Sequence, residues 1–140
     1  MAYQDDIKKA AALLLPWNKL SGCNILVTGA TGLIGGCLVD VLMAHKGRNY
    51  NVYASGRNEE RAGRRFLKYA DDNSFHFVKY DVAHPLEYDV NFQYIIHAAS
   101  GAYPEEFIKH PVEVIKGNIN GVDNLMGYGI QHGIKRLLYI

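Results

Sequence analysis

The stretch ILVTGATGLIGG, residues 25–36, begins as a continuous apolar run, continues with glycines three positions apart and then turns apolar again. A short apolar run of this kind predicts a strand covered on both faces, as in a parallel sheet. Glycine at 29, 32 and 35 removes the β-carbon where the chain must turn sharply, bring its backbone close to a ligand and start a helix near the sheet. The stretch therefore predicts a strand–turn–helix unit whose helix N-terminus binds a pyrophosphate; the alternative is a glycine-rich turn without a ligand.

Strand-like and helix-like segments alternate along the rest of the chain. Strands are predicted at 24–28, 51–55, 75–80, 93–99 and 135–140. Helices are predicted from apolar residues at helical spacing at 5–15, 33–46, 59–71 and 111–132. Strands joined by helical crossovers predict an α/β fold of the Rossmann type, a doubly wound parallel sheet with strand order 3-2-1-4-5. Such sheets bind ligands beyond the carboxyl ends of the strands where the order reverses, and the glycines lie there.

Composition limits the classes of protein that fit. With 140 residues, 49% of them hydrophobic and 21% charged, the chain forms one compact domain at 23–140, preceded by a leader helix and linker at 1–22. The net charge of +1, without a basic block, predicts neither a nucleic-acid nor a membrane partner. The N-terminus MAYQDD is acidic and no apolar run reaches the roughly 20 residues of a membrane span, so we expect a cytoplasmic protein.

Cysteine and histidine usage points away from disulfide and metal chemistry. Cys23 and Cys37 lie in apolar settings, which favours buried reduced thiols over a disulfide. The six histidines show no metal-binding pair at helical spacing and no zinc-type cysteine partner, so no metal site is predicted. His97, in the fourth strand, is interpreted as a core histidine rather than a base.

Four segments carry a resemblance to a known family. TGATGLIG at 28–35, YDV at 80–82, IIHAAS at 95–100 and GNINGVDNLMGYGIQHGIKRLLYI at 117–140 resemble, in order and spacing, the N-terminal half of extended short-chain dehydrogenase/reductases. The likeness is greatest to nucleotide-sugar epimerases, dehydratases and UDP-glucuronate decarboxylases, and PWNKLSG at 16–22 looks like the leader of bacterial polysaccharide-locus members. The resemblance implies an NAD or NADP cofactor, a nucleotide-sugar substrate, transient hydride transfer and a role in polysaccharide biosynthesis.

The resemblance also implies cofactor-binding roles for individual residues. The pyrophosphate would be held by three glycines and three amides: Gly29, Gly32 and Gly35, with the N–H groups of Thr31, Leu33 and Ile34. The carboxylate of Asp81 would accept from the adenine amino group while the backbone of Val82 contacts the ring; an Asp that caps a turn is the alternative. Ala98, Ala99 and Ser100 would leave room for the nicotinamide ribose. Asn118 matches a family asparagine whose side chain hydrogen-bonds to backbone near the active site. The alternative is a polar helix residue whose side chain is hydrogen-bonded to a neighbouring loop.

The second strand departs from the commoner NAD pattern. An acid near its end would bond the ribose hydroxyls, but the chain reads ASGRN at 54–58. Arg57 is able to pair with a 2′-phosphate or lie across the adenine, and Ser55 and Asn58 are able to donate hydrogen bonds. This sequence favours NADP over NAD. The alternative is that Arg57 is simply a solvated side chain at the start of a helix. Redox-neutral members of the family commonly keep NAD bound, which argues for NAD.

No catalytic residue is predicted in this chain. The family moves a proton with a tyrosine whose pKa is lowered by a lysine four residues later, and no tyrosine here has a lysine at that position. We therefore expect an incomplete domain that stops after the fifth strand, without the substrate domain, and that binds cofactor without turnover. The fifth strand would be an exposed apolar edge, which predicts a homo-oligomer, and Gly117 and Gly121 suggest a close backbone neighbour.

A second class of function remains open. A non-catalytic module that senses the dinucleotide or serves as a scaffold would have the same glycine turn and would also lack the tyrosine. A P-loop nucleotide binder is excluded because no GK[ST] follows the glycines.

Overall fold

A computed structural model describes residues 2–100 and 104–140 of the chain. Five strands are present: β1 (Asn24–Thr28), β2 (Asn51–Gly56), β3 (Phe75–Lys79), β4 (Tyr94–His97) and β5 (Arg136–Tyr139). Five α-helices accompany them: α1 (Ala2–Ala11), α2 (Leu33–Ala44), α3 (Glu59–Phe66), α4 (Pro104–Lys109) and α5 (Pro111–Gln131). Short 3-10 turns lie at Trp17–Leu20 and Leu67–Tyr69.

The five strands form one parallel sheet in the order β3-β2-β1-β4-β5. Val27 of β1 lies opposite Ala54 of β2 on one side and Ile96 of β4 on the other. Because β1 and β4 are neighbours although two strands separate them in sequence, the order reverses there. The predicted fold class and strand order are confirmed.

The sheet is covered on both faces. On one face Ile25 and Val27 pack with Val39 of α2 and Phe66 of α3. On the other face, side chains of the alternate positions, such as Leu26, pack with α5 and with the loop that follows β3. Strands buried on both sides explain why β1 is continuously apolar in sequence.

Helix α1 differs from its prediction. It spans Ala2–Ala11, whereas the apolar spacing had predicted a helix at 5–15 that ends at Pro16. The ring of His45 bonds the carbonyl of Ala11 at 3.0 Å, so a helix-end carbonyl is satisfied by a partner 34 residues away. Ile7 and Ala11 are buried as the spacing indicated, but Leu14 is fully exposed.

The remaining differences are at element ends, with one helix added. Helix α3 ends at Phe66 and gives way to the 3-10 turn, although a helix to residue 71 was predicted. The six-residue α4 was not predicted; its first residue, Pro104, suits a helix start. Cys23 is buried, Cys37 is half-buried, and both are free thiols, as expected.

The described residues contain neither a candidate membrane span nor a cluster of metal-binding side chains. Over 2–100 and 104–140, no helix is long and apolar enough to cross a membrane. Within the same ranges, no group of three or more His, Cys, Asp or Glu side chains is placed to hold a metal ion.

Candidate functional site

The glycine turn after β1 is built on close backbone contacts. Gly29 has φ +64°, a conformation that residues with a β-carbon rarely adopt. A β-carbon there would lie 2.5 Å from the carbonyl oxygen of Ala98, and one at Gly35 would lie 2.4 Å from the carbonyl oxygen of Gly29. Both glycines therefore allow the turn, the first residues after β4 and the start of α2 to pack against one another.

Gly32 differs from these two glycines. Its backbone is extended, and a β-carbon built on it meets only the carbonyl of Gly29, at 3.2 Å. Gly32 is also exposed, so the space beside it opens outward at the carboxyl edge of the sheet. Gly32 thus has little role in internal packing, and its missing side chain leaves room for an external group.

Backbone donors at the start of α2 are left without acceptors. The N–H of Gly32 bonds the carbonyl of Gly29 at 2.9 Å, and the first helical bond runs from Gly36 to Gly32. In the described part of the chain, no group accepts from the N–H of Thr31, Leu33 or Ile34, and no side chain caps the helix. Unpaired N–H groups and the positive end of the helix dipole form an anion-binding site, which fits a pyrophosphate.

The end of β2 lies next to the glycine turn. The carbonyl of Ser55 accepts from the N–H of Ala30 at 3.0 Å, and the position of a β-carbon on Gly56 is 3.6 Å from the Thr31 side chain. Arg57 is exposed, and no described residue forms an ion pair with it. The side chain of Asn58 caps α3 by accepting from the N–H of Arg61 at 2.8 Å, so only its amide N–H groups remain for a ligand.

Ser55 does not have the position expected of it. Its hydroxyl is 1% exposed and has no hydrogen-bond partner among the described residues. The side chain is buried in the sheet because it alternates with Ala54 along a strand that is covered on both faces. It is therefore not available to a ligand outside the sheet edge.

The turn after β3 contains Asp81 and Val82. One carboxylate oxygen of Asp81 accepts from the N–H of Ala83 at 3.0 Å, and the carbonyl of Asp81 accepts from the N–H of His84 at 3.1 Å. The phenol of Tyr80 closes the turn by donating to the carbonyl of His84 at 2.9 Å. Asp81 thus caps a turn, as the alternative reading held, while its second oxygen remains for a ligand.

The segment after β4 lies against the glycine turn. The N–H of Ala98 donates to the carbonyl of Thr28 at 3.3 Å. A β-carbon on Gly29 would clash with the backbone of Ala98 and Ala99. Ser100 is exposed, and its hydroxyl donates to the side-chain oxygen of Asn118 at 3.1 Å. Small side chains at 98 and 99 keep this part of the edge open beside the unpaired amides.

His97 is a buried residue beneath this edge. Its Nδ1 shares a hydrogen bond of 2.7 Å with the hydroxyl of Thr28, and its Nε2 has no partner among the described residues. Burial lowers the pKa of His97 because it disfavours the charged ring. A fully buried, neutral ring matches the interpretation as a core histidine.

The neighbours of two helix glycines also correct an expectation. A β-carbon on Gly121 of α5 would lie 3.0 Å from Nε2 of His97 and 3.3 Å from a methyl group of Val82, and no described residue lies within 4 Å of the β-carbon position of Gly117. The close neighbours of Gly121 are thus two side chains rather than another backbone. Here the helix approaches the sheet edge directly above His97.

Apart from the buried side chain of Ser55, the predicted cofactor residues therefore lie at the carboxyl edge of the sheet, at the ends of β1, β2, β3 and β4. Asn124 of α5 was missed, although its amide nitrogen donates to the carbonyl of Val82 at 2.9 Å. Asn118, Gly121 and Asn124 follow one another at intervals of three residues, and this spacing was the sequence signal that Asn124 faces the same edge.

Fold and site together define a Rossmann-type dinucleotide-binding domain. A sequence model described as the NAD dependent epimerase/dehydratase family matches residues 25–140. The chain belongs to that family.

Named relatives agree with the family match. UDP-glucuronic acid decarboxylase 2 of Arabidopsis thaliana is 31% identical over 86% of this chain and 26% of its own length. UDP-glucuronic acid decarboxylase 1 of Danio rerio is 30% identical over 81% of the chain and 26% of its own length. The chain thus spans about a quarter of the length of these relatives.

Solved structures share the fold. Pen from Bacillus thuringiensis superposes with a TM-score of 0.71 at 23% identity, covering 86% of this chain and 38% of its own. The UDP-glucose 4-epimerase of Thermotoga maritima gives a TM-score of 0.63 at 24% identity, covering 83% and 37%. Yeast methylglyoxal/isovaleraldehyde reductase Gre2, complexed with NADPH, gives 0.61 at 18% identity, covering 83% and 36%.

Proposed function

We propose that residues 23–140 are the dinucleotide-binding part of a nucleotide-sugar epimerase, dehydratase or decarboxylase, with residues 1–22 as a leader packed against it. The observation that supports this most directly is the set of N–H groups at Thr31, Leu33 and Ile34 that have no acceptor among the described residues, in the turn at Gly32. When bound, the nicotinamide accepts and returns a hydride. Relatives named UDP-glucuronic acid decarboxylase support a nucleotide sugar as substrate. A role in polysaccharide biosynthesis stays a prediction.

The roles proposed for individual residues follow their places at the sheet edge. The N–H groups at the start of α2 bind the pyrophosphate, and the free carboxylate oxygen of Asp81 with the backbone of Val82 binds the adenine. Ala98, Ala99 and Ser100 border the nicotinamide ribose. Since no tyrosine in these 140 residues has a lysine four positions later, we expect this chain by itself to bind the dinucleotide without turnover.

The end of β2 supports NADP over NAD. No acid is present there to repel a 2′-phosphate, and Arg57 is exposed and without an ion pair among the described residues. The nearby Glu59 is paired with Lys79 at 2.9 Å, and Glu60 with Arg64 at 2.6 Å, so these carboxylates are compensated. Arg57 is thus a cation at this end of the strand that has no carboxylate partner among the described residues.

Calorimetric titration with NADH and with NADPH tests the proposal. We expect at least one dinucleotide to bind with a Kd in the micromolar range, about −8 kcal/mol, and NADPH to bind more tightly than NADH. Failure of both to bind at millimolar concentration would overturn the proposed function. Tighter binding of NADH would overturn only the preference for NADP.

A homo-oligomer is the proposed state in solution. The outward side of α5 presents Ile115, Ile119 and Ile130, which are 56%, 63% and 71% exposed. An apolar stripe of this kind is typical of a protein–protein interface. Sedimentation velocity tests this, and a monomer at all concentrations would contradict it.

A cytoplasmic location and the lack of a nucleic-acid partner stay predictions.

A further inference from the structure

The peptide group between Val82 and Ala83 is held from both sides. Its carbonyl oxygen accepts from the amide nitrogen of Asn124 at 2.9 Å, and its N–H donates to one carboxylate oxygen of Asp81 at 3.0 Å. Because a peptide group is planar, the two bonds depend on a single orientation. Rotating the carbonyl away from Asn124 would also turn the N–H away from Asp81.

Two groups of this turn remain for a ligand. In the described part of the chain, nothing accepts from the N–H of Val82, and the second carboxylate oxygen of Asp81 is free of the turn. The turn therefore presents an acceptor next to a donor. Adenine has the complementary groups: its amino group donates to the carboxylate, and its ring nitrogen accepts from the N–H of Val82. Hypoxanthine has a keto acceptor and a ring N–H donor at the same positions, so it does not match the turn.

We propose that Asn124 is a positioning residue which, by holding the Val82–Ala83 peptide, orients the Asp81 carboxylate so that the turn selects adenine over hypoxanthine. This inference rests on the proposed dinucleotide-binding function. The bond that carries this inference runs from the amide nitrogen of Asn124 to the carbonyl of Val82, so Asn124 acts on the turn rather than on the ligand. Gly121, three residues earlier, lets α5 approach Val82 closely enough for that bond.

The test compares NADH and NADPH with their hypoxanthine counterparts. Wild-type protein, Asn124→Leu and Asn124→Asp are titrated with each ligand, and Asn120→Leu is the control because Asn120 is an exposed asparagine of the same helix. Leucine has a side chain of similar size to asparagine but no hydrogen-bond donor, and aspartate has an acceptor where asparagine has its amide donor. We expect the wild type and Asn120→Leu to prefer the adenine ligand, and both Asn124 variants to lose about tenfold of that preference.

A second measurement reports on the turn without a ligand. Hydrogen exchange at the Ala83 amide is expected to be faster in Asn124→Leu than in the wild type, with the thermal midpoint of the wild type retained. An equal loss of affinity for both ligands would indicate a merely structural role and overturn the inference, as would an unchanged preference. Failure of the wild type to bind any dinucleotide would overturn the proposed function and this inference together, so the two failures are distinguishable.

Discussion

Helix α2 contains two polar regions that differ in how completely their groups are paired. At its first turn, the N–H groups of Leu33 and Ile34 have no acceptor in the described chain. Two turns later, Asp40 is 0% exposed and is surrounded by donors. Its carboxylate accepts from four side chains: Tyr3 at 2.6 Å, Arg65 at 2.6 Å, Tyr69 at 2.8 Å and Lys68 at 2.9 Å.

The difference separates a binding site from a structural contact. Burial by itself raises the pKa of Asp40, but hydrogen bonds from Arg65, Tyr3, Lys68 and Tyr69 outweigh burial and lower the pKa to about 2. This cluster joins α1, α2 and α3 and leaves no group for a ligand. Unpaired donors at an open edge can bind a ligand, whereas a saturated carboxylate stabilises the fold.

The largest expected effect is at the open turn. Gly32→Val should lower the affinity for the dinucleotide at least a thousandfold, about 4 kcal/mol, because its side chain would occupy the space in front of the free N–H groups. The extended backbone of Gly32 suits valine, but its β-carbon would lie 3.2 Å from the carbonyl oxygen of Gly29, so a small fall in the thermal midpoint is expected, with the fold retained. Calorimetry and thermal unfolding measure the two quantities. Gly63→Ala is the control, because nothing lies within 4 Å of its β-carbon position; unchanged affinity in Gly32→Val would refute the site.

The saturated cluster should respond in the opposite way. Asp40→Ala is expected to lower the free energy of unfolding by about 2 kcal/mol, because the half-buried Arg65 and Tyr69 lose their partner inside the fold, whereas Lys68 is exposed and contributes little. Affinity for the dinucleotide should stay the same. Asp6→Ala serves as control, since its 3.8 Å pair with Lys9 is solvent-exposed. A loss of affinity without a loss of stability would mean that Asp40 belongs to the binding site.

Acidification should separate the contribution of Asp40 to stability from that of His97, because the two side chains titrate in different pH ranges. Burial lowers the pKa of His97 in the folded state, so between that pKa and the ordinary value of about 6.5 the unfolded chain binds more protons. Stability therefore falls as the pH drops through this range, by at most about 1.4 kcal/mol per pH unit. The contribution of Asp40 is lost only below its ordinary value of 3.8, down to about 2. Urea unfolding from pH 7.5 to 5 tests this. His97→Gln should flatten the profile, and an unaltered slope would contradict the assignment.

The smallest expected effect concerns cofactor choice. Arg57→Ala should weaken NADPH binding about tenfold, about 1.4 kcal/mol, because a 2′-phosphate loses its cation, and should leave NADH binding unchanged. Titration with both ligands measures the ratio. Arg136→Ala is the control, because Arg136 is an exposed arginine at the start of β5, at the opposite edge of the sheet. An equal effect on both dinucleotides would assign Arg57 to the adenine face instead.

Prediction succeeded where neighbours in sequence decide the structure. The turn at Gly29–Gly35 was predicted because its conformation, its bare backbone and the start of α2 are properties of seven consecutive residues. The end of α1 was predicted wrongly because the partner of Ala11 is His45, and Asn124 was missed because its partner, Val82, is 42 residues away. Ser55 was given a role that its burial excludes.

The amino-acid sequence by itself determined the alternation of strands and helices, the strand order and the place of the glycine turn, since each depends on periodicity, backbone freedom and chain connectivity. Only the tertiary structure decided which polar groups remain unpaired. Asp40 and the N–H of Leu33 are both polar groups of one apolar helix. Whether a polar group is available to a ligand depends on distant residues that folding brings within hydrogen-bond distance, and local sequence does not contain that information.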